Sequence, residues 1–410
     1  MRNCRNAAIT LLLIGPAWCV LFAQARKVTD AEVDRITKSA ILIDTHNDVT
    51  SKTVEGFDIG KPTSDGGHTD LPRLRAGGVG AVFFAVYVGA NYTNGNHSAN
   101  RALEMIDTVR HDIVGGHPKD FLFATSADDI ERARREGKIA ALMGIEGGHA
   151  IEDSPRLLRD FYALGIRYMT LTHTNTNNWA DSSGDAGKAG VAHHNGLSPL
   201  GKQIVLEMNR LGMIVDISHV SDKTFWDAFE TSKAPIFASH SSAKALSNIP
   251  RNMTDEMIAA LGRKGGVVQI NFGCDFLSQK SADAVAKAGG MERFRTVMEQ
   301  FKDDPAKQRE AMMKLRDEMA RKAVRATVAD AVAHIDHVKQ LAGIGAVGIG
   351  TDFDGVGCVP EGLDDASKFP NLTRALLEKG YSESDVLKIY GGNTLRLLHE
   401  VERIAVALSR

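Results

Sequence analysis

Eight short apolar runs rich in β-branched residues recur along the chain, and helical spacing fills much of what lies between them. The runs fall at residues 41–43, 81–86, 140–144, 168–171, 214–217, 236–238, 267–270 and 346–349. Amphipathic helical patterns occupy 154–164, 199–211, 222–230, 254–261 and 326–341. A helical crossover returns the chain to the end of the sheet where it started, so successive strands run parallel. Eight such units predict a closed (β/α)8 barrel of the TIM type rather than an open doubly wound sheet. The crossover 274–325 is longer than the rest, with helical patterns at 291–301 and 305–319. It predicts a helical insertion between strands seven and eight, a surface excursion. Residues 29–40 predict one more helix, packed below the barrel. No fixed-period repeat points to a solenoid or propeller. No Pro/Gly/Ser linker divides residues 26–410, which are expected to form one domain.

The N-terminus stands apart from this pattern. Arg2 and Arg5 precede an apolar stretch at 7–21, followed by Ala23-Gln24-Ala25. This is the form of a secretory signal with cleavage after Ala25, and it predicts a secreted or periplasmic protein. The run is too short, and too interrupted by Gly15 and Pro16, for a stable membrane anchor. A formal net charge of −2, with both signs interspersed, gives no footprint for nucleic acid. Beyond the signal only Cys274 and Cys358 remain. Two cysteines make no disulfide scaffold, and their spacing leaves open whether they pair.

In a barrel of this kind the active site gathers where the strands end, and six of the eight runs end in a metal-binding or titratable side chain. The first continues into Asp44-Thr45-His46-Asn47-Asp48, where His46 and Asp48, two apart, share one face of an extended backbone. The third ends at Glu146, a carboxylate costly to bury without a cation. The fourth ends at His173, the fifth at His219, the sixth at His240 and the eighth at Asp352. His and carboxylate donors without thiolate suit zinc, with manganese or iron as chemical alternatives. His46 with Asp48 can hold one ion and His219 with His240 the other, with Glu146 bridging. Two ions about 3.5–4 Å apart acidify a shared water and polarise a carbonyl. Asp352 is then the proton shuttle, and His173 the stabiliser of the oxyanion.

Any one of these histidines alone is more often a hydrogen-bonded structural residue; the ordered set carries the inference. Asp44 and Asp216 can orient ligands or cap structure, Tyr87 and Trp179 can line a pocket or simply pack, and Asp354 is expected to support its loop. His149 borders the site. His68, His97, His111, His117, His334, His337 and His399 look like surface or helix residues. There is no G-x-S-x-G elbow, and Gly77-Gly78-Val79-Gly80 precedes a strand instead of following one, which excludes a nucleotide loop there.

Taken in order, these segments, with Gly144-Ile145-Glu146-Gly147-Gly148-His149, Trp179-Ala180-Asp181, Ser239-His240-Ser241, Arg251-Asn252, Asp352-Phe353-Asp354-Gly355 and Gly391-Gly392-Asn393, resemble the membrane (renal) dipeptidase family of the amidohydrolase superfamily. The resemblance runs from about residue 41 to 404. It implies a dinuclear zinc barrel that hydrolyses dipeptides, often with a D-residue on the C-terminal side, and a homodimer. It places His46 and Asp48 on one zinc, His219 and His240 on the other and Glu146 between them. It places His173 near the reacting carbonyl, Arg251 on the dipeptide's free carboxylate and Asp352 in the acid–base role. Asn175 and Asn178 stand where the mammalian relatives have a cysteine and a proline, so their disulfides and lipid anchor do not carry over. The rival expectations are a related amidohydrolase, such as an N-acyl-amino-acid deacylase, and a binding barrel without catalysis.

Overall fold

The computed structural model describes residues 27–63, 67–301 and 304–409; the proposed signal, 1–25, lies outside them. Nine strands form one sheet: β1 Leu42–Asn47, β2 Val79–Tyr87, β3 Phe121–Phe123, β4 Ile139–Glu146, β5 Ile166–Thr170, β6 Ile214–Asp216, β7 Phe237–Ser241, β8 Val267–Ile270 and β9 Val347–Ile349. Eight of them follow the order β1-β2-β4-β5-β6-β7-β8-β9, all parallel. The ring is closed just past the strand ends. Asn47 bridges Phe353 in parallel, Asp48 N–H donates to Phe353 O at 2.8 Å, and Asp352 N–H donates to His46 O at 3.1 Å. The expected (β/α)8 barrel is therefore present, and its last seam is made by the end of β1, with Asp48 after it, against the residues that follow β9.

The ninth strand, β3, was not expected. It pairs with residues 139–141 of β4, on the edge that β5 takes up from Met143 onward. Three residues give too short a run to stand out from helix or loop.

Alternation along the strands divides the core in two. Ile43, Phe83, Leu142, Tyr168, Ile214 and Phe237 belong to one buried cluster, and Leu397, Leu398 and Val401 of the C-terminal helix pack with them. Leu42, Val82, Phe84, Met143, Met169 and Val215 belong to the other, with the surrounding helices. Tyr168 fills the space above Gly144, where any Cβ would run into its ring; no other residue fits there. The crossover helices start where their sequence signals lie. Ser154, Ser198, Ser221 and Thr254 each accept the backbone N–H three residues on, a cap worth about 1 kcal/mol. Between β8 and β9 stand the expected extra helices, among them Gly290–Gln300 and Pro305–Lys322. Arg295 reaches from this insertion to Gly184 O at 3.3 Å. Cys274 and Cys358 form a disulfide, S–S 2.02 Å, which ties the segment after β8 to the segment after β9.

Candidate metal and catalytic centre

Where the parallel strands end, their last side chains converge. His46 Nε2 lies 3.3 Å from Asp48 Oδ2 and 3.5 Å from Glu146 Oε2. Glu146 Oε1 lies 2.8 Å from His219 Nε2, 3.3 Å from His240 Nε2 and 3.8 Å from His173 Nε2. The His46 and His240 rings stack at 3.8 Å. Three overlapping groups have donor atoms mutually within 4.8 Å: His46 with Glu146 and His240, Glu146 with His173 and His219, and His46 with Asp48 and Asp352. Glu146 stands at the centre and is only 4% exposed. All seven residues singled out at the strand ends thus meet at one end of the barrel.

Two features fit a cation here. His46 Nε2 is buried, faces two carboxylates and makes no hydrogen bond. His219 Nε2 and His240 Nε2 stand 3.0 Å apart, both turned toward Glu146, so their lone pairs compete for one point of positive charge. The electrostatics agree. Burial opposes charge on Glu146, yet the imidazoles gathered round it, His46 and His173 first and then His219 and His240, hold its carboxyl well below the ordinary range. Burial also opposes charge on His46, but the carboxylates of Glu146 and Asp48 help raise it well above the usual imidazole value. A cluster with this surplus of carboxylate calls for positive charge. His219 and His240 are lowered, first by burial and then by neighbouring cations including Arg251. They are thus held as the neutral imidazoles that bind metals. Nitrogen and oxygen donors without thiolate are the set for zinc, manganese or iron.

The strands also supply outer partners that fix the rings, as ligand histidines require. Asp216 accepts Ser239 N–H at 2.8 Å, Ser218 N–H at 3.1 Å and Ser239 Oγ–H at 2.6 Å; Ser239 Oγ lies 2.8 Å from His240 Nδ1. With the serine proton given to Asp216, Nδ1 of His240 donates and its Nε2 turns a lone pair inward. His46 Nδ1 lies 2.7 Å from Tyr168 Oη, whose ionisation burial pushes far up. Asp44 accepts Thr351 N–H and Oγ–H, both at 2.8 Å, and so clamps β1 to the Asp352 loop. The two aspartates left open on sequence are therefore structural supports of the site, one behind His240 and one behind Asp352.

Asp352 sits at φ 59°, and His219 at φ 65°. Left-handed backbone outside glycine costs about 1–3 kcal/mol and concentrates at functional sites. Asn271 Nδ2 donates to Asp352 Oδ2 at 2.8 Å. Asn271 follows β8, the one late strand without a titratable ending, and sequence reading passed over it. Burial, with Asp48 and Glu146 adding to it, raises the Asp352 carboxyl well above its ordinary value. His173 is lowered to about 4, chiefly by burial. Its ring stands at 64° to Tyr87, 4.9 Å away; Tyr87 thus borders the site, whereas Trp179 is fully buried. Arg251 stands over the Phe276 ring at 5.2 Å and reaches Ser241 Oγ at 3.3 Å and His240 O at 3.2 Å. Among the histidines set aside on sequence, His334 is not at the surface. It is fully buried, and burial lowers it to about 4.

The membrane dipeptidase model, peptidase family M19, matches residues 30–410. An uncharacterized dipeptidase of Schizosaccharomyces pombe is 33% identical over 406 residues, 94% of this chain and 86% of that protein. Dipeptidase tcpJ of Claviceps purpurea is 38% identical over 355 residues, 85% of this chain and 72% of that one. The probable dipeptidase PvdM of Pseudomonas aeruginosa superposes with a TM-score of 0.78 at 25% identity, covering 92% of this chain and 98% of that one. A metallo peptidase of Rhodobacter sphaeroides, solved with a phosphinate mimic of L-Ala-D-Ala, shares the fold at a TM-score of 0.69 and 24% identity, covering 88% and 99%. Sequence, fold and the cluster at the barrel mouth agree: the chain belongs to the membrane dipeptidase family, peptidase M19, a family of metal-dependent dipeptidases.

Proposed function

We propose that this metallo-dipeptidase works with two zinc ions, and that it cleaves dipeptides including those with a C-terminal D-residue. The observation that carries the reading is the placement of Glu146 between His46 on one side and His219 with His240 on the other. His46 and Asp48 would hold one ion, His219 and His240 the other, with one Glu146 oxygen for each. When bound, such a pair supplies an acidified water and polarises the scissile carbonyl.

The chain's own groups do the rest. Arg251 offers its planar fork to the free carboxylate of the dipeptide; it and His219 line the same small cleft beside the cluster. Thr174 Oγ lies 3.2 Å from His173 Nδ1. A hydroxyl donated there leaves the ring proton on Nε2, on the Glu146 side, available to the oxyanion. Asp352 takes the proton of the attacking water and returns it to the leaving amine; Asn271 holds one of its oxygens still.

Arg251→Ala tests the substrate assignment. Loss of a charge-assisted hydrogen bond predicts a KM increase of about 10- to 150-fold with kcat little changed, on L,L- and L,D-dipeptides alike. An unchanged KM would point to an enzyme indifferent to a free C-terminus. Cleavage of L,L-dipeptides alone would remove the D-residue part of the proposal.

We also propose export, by the Arg2-to-Ala25 signal. The Cys274–Cys358 disulfide supports it, since such bonds persist in oxidising compartments. No helix among the described residues is long and apolar enough to cross a membrane. Mass analysis of protein from the producing cell should find a chain beginning near Arg26; a retained residue 1 contradicts export by cleavage. The family resemblance adds a homodimer to the proposal, for which light scattering is the check.

A further inference from the structure

Arg251 sits between two segments that do not pair with each other in the sheet. One, following β7, is a loop whose ends meet: Lys244 N–H donates to Met253 O, and Met253 N–H donates to Ser242 O, each at 2.8 Å. The other, following β8, carries Phe276, on whose ring the guanidinium rests. Arg251 reaches back to Ser241 and His240, so its direction depends on the distance between the two segments. Side chains that cross between the two segments set that distance; Gln279 Oε1, for one, accepts Asn248 N–H at 2.6 Å. Asn252 accepts Ser242 N–H at 3.1 Å and donates to Ser247 O and Phe276 O, both at 2.9 Å. Ser247 Oγ donates to Asp275 O at 2.6 Å.

One more comes from outside both segments. His334 lies on the helix Val328–Ala342 and is completely buried. Its Nδ1 accepts Ala243 N–H at 3.0 Å, and its Nε2 lies 3.2 Å from Leu277 O. An imidazole can satisfy both only as the neutral tautomer with its proton on Nε2. One ring thereby joins the start of the Arg251 loop to the residue after Phe276.

We propose that His334 is a positioning residue for substrate recognition: it fixes the gap between Ala243 and Leu277, and so aims the Arg251 guanidinium at the carboxylate of the dipeptide. This rests on Arg251 binding that carboxylate. His334 touches neither substrate nor the donor atoms of the metal cluster. Its removal therefore acts on binding of the free C-terminus and not on the chemical step.

The test compares His334→Ala, His334→Asn, His334→Gln and Arg251→Ala on a dipeptide and on the same dipeptide with its C-terminus amidated, in the metal-loaded full chain. Asn places an acceptor where Nδ1 stands, and Gln a donor where Nε2 stands, so each keeps one of the two bonds. His334→Ala is expected to raise KM for the free dipeptide about 10-fold, with kcat within about twofold and the amide's KM unchanged, because misaiming a binding group weakens binding without touching the reacting atoms. The Asn and Gln variants are expected to raise KM by less. Should the alanine chain fail to fold, those two carry the test. An unchanged KM in every folded His334 variant beside a raised KM in Arg251→Ala overturns the inference while leaving the Arg251 reading intact. An unchanged KM in Arg251→Ala overturns both. A fall in kcat at constant KM marks a merely structural histidine and also overturns it.

Discussion

Glu146→Gln is expected to lower kcat/KM by about 1,000-fold or more and to strip bound metal from the protein. Changing an outer partner of a metal ligand already costs about 10–100-fold in affinity or activity. Glu146 instead has its carboxylate within 4 Å of His46, His173, His219 and His240 together. Glutamine keeps the shape but offers one acceptor oxygen and an NH₂ group. It also removes the negative charge around which the four imidazoles are gathered. Metal content and kcat/KM should fall together. Activity within tenfold of the parent at full metal content would show that Glu146 does not join the two halves of the site.

Asp352→Asn should behave differently. The amide retains the volume of the carboxyl group and can still accept the Asn271 hydrogen bond. The left-handed backbone at φ 59° is one that asparagine tolerates. What disappears is the capacity to take and return a proton. General acid–base groups contribute about 100- to 10,000-fold, so kcat should fall by that factor. KM and metal content should stay within a few-fold. The contrast between the variants separates a group that holds metal from one that moves protons. Loss of metal from Asp352→Asn would place Asp352 among the ligands, a geometry its approach to His46 and Asp48 allows.

The barrel was legible because most of its strands are short apolar runs closed by a polar residue, with helical spacing behind them. The site was legible for the same reason: a His, Asp or Glu at the end of an otherwise apolar run has no structural cause within the run. What sequence did not reveal depends on distances between segments. Tyr168 reads as one more core aromatic, and only the space above Gly144 directs its hydroxyl to His46. Asn271 follows a run with no charged ending. His334 sits in a helix whose pattern gives no hint that its ring joins two loops 34 residues apart, at Ala243 and Leu277. The Cys274–Cys358 pairing required Cα atoms 5.4 Å apart, a matter of geometry and not of spacing along the chain. Asp354, expected to support its loop, does so: its carboxylate accepts His68 N–H at 3.0 Å and lies 3.3 Å from Lys52 Nζ.

The most direct measurement is metal analysis of the purified chain, joined to a dipeptide hydrolysis assay before and after chelation. The expected result is about two zinc ions per chain, activity lost with them and regained on adding zinc back. A chain that holds its two ions and cleaves no dipeptide, or one that cleaves at an undiminished rate after both are gone, would contradict it.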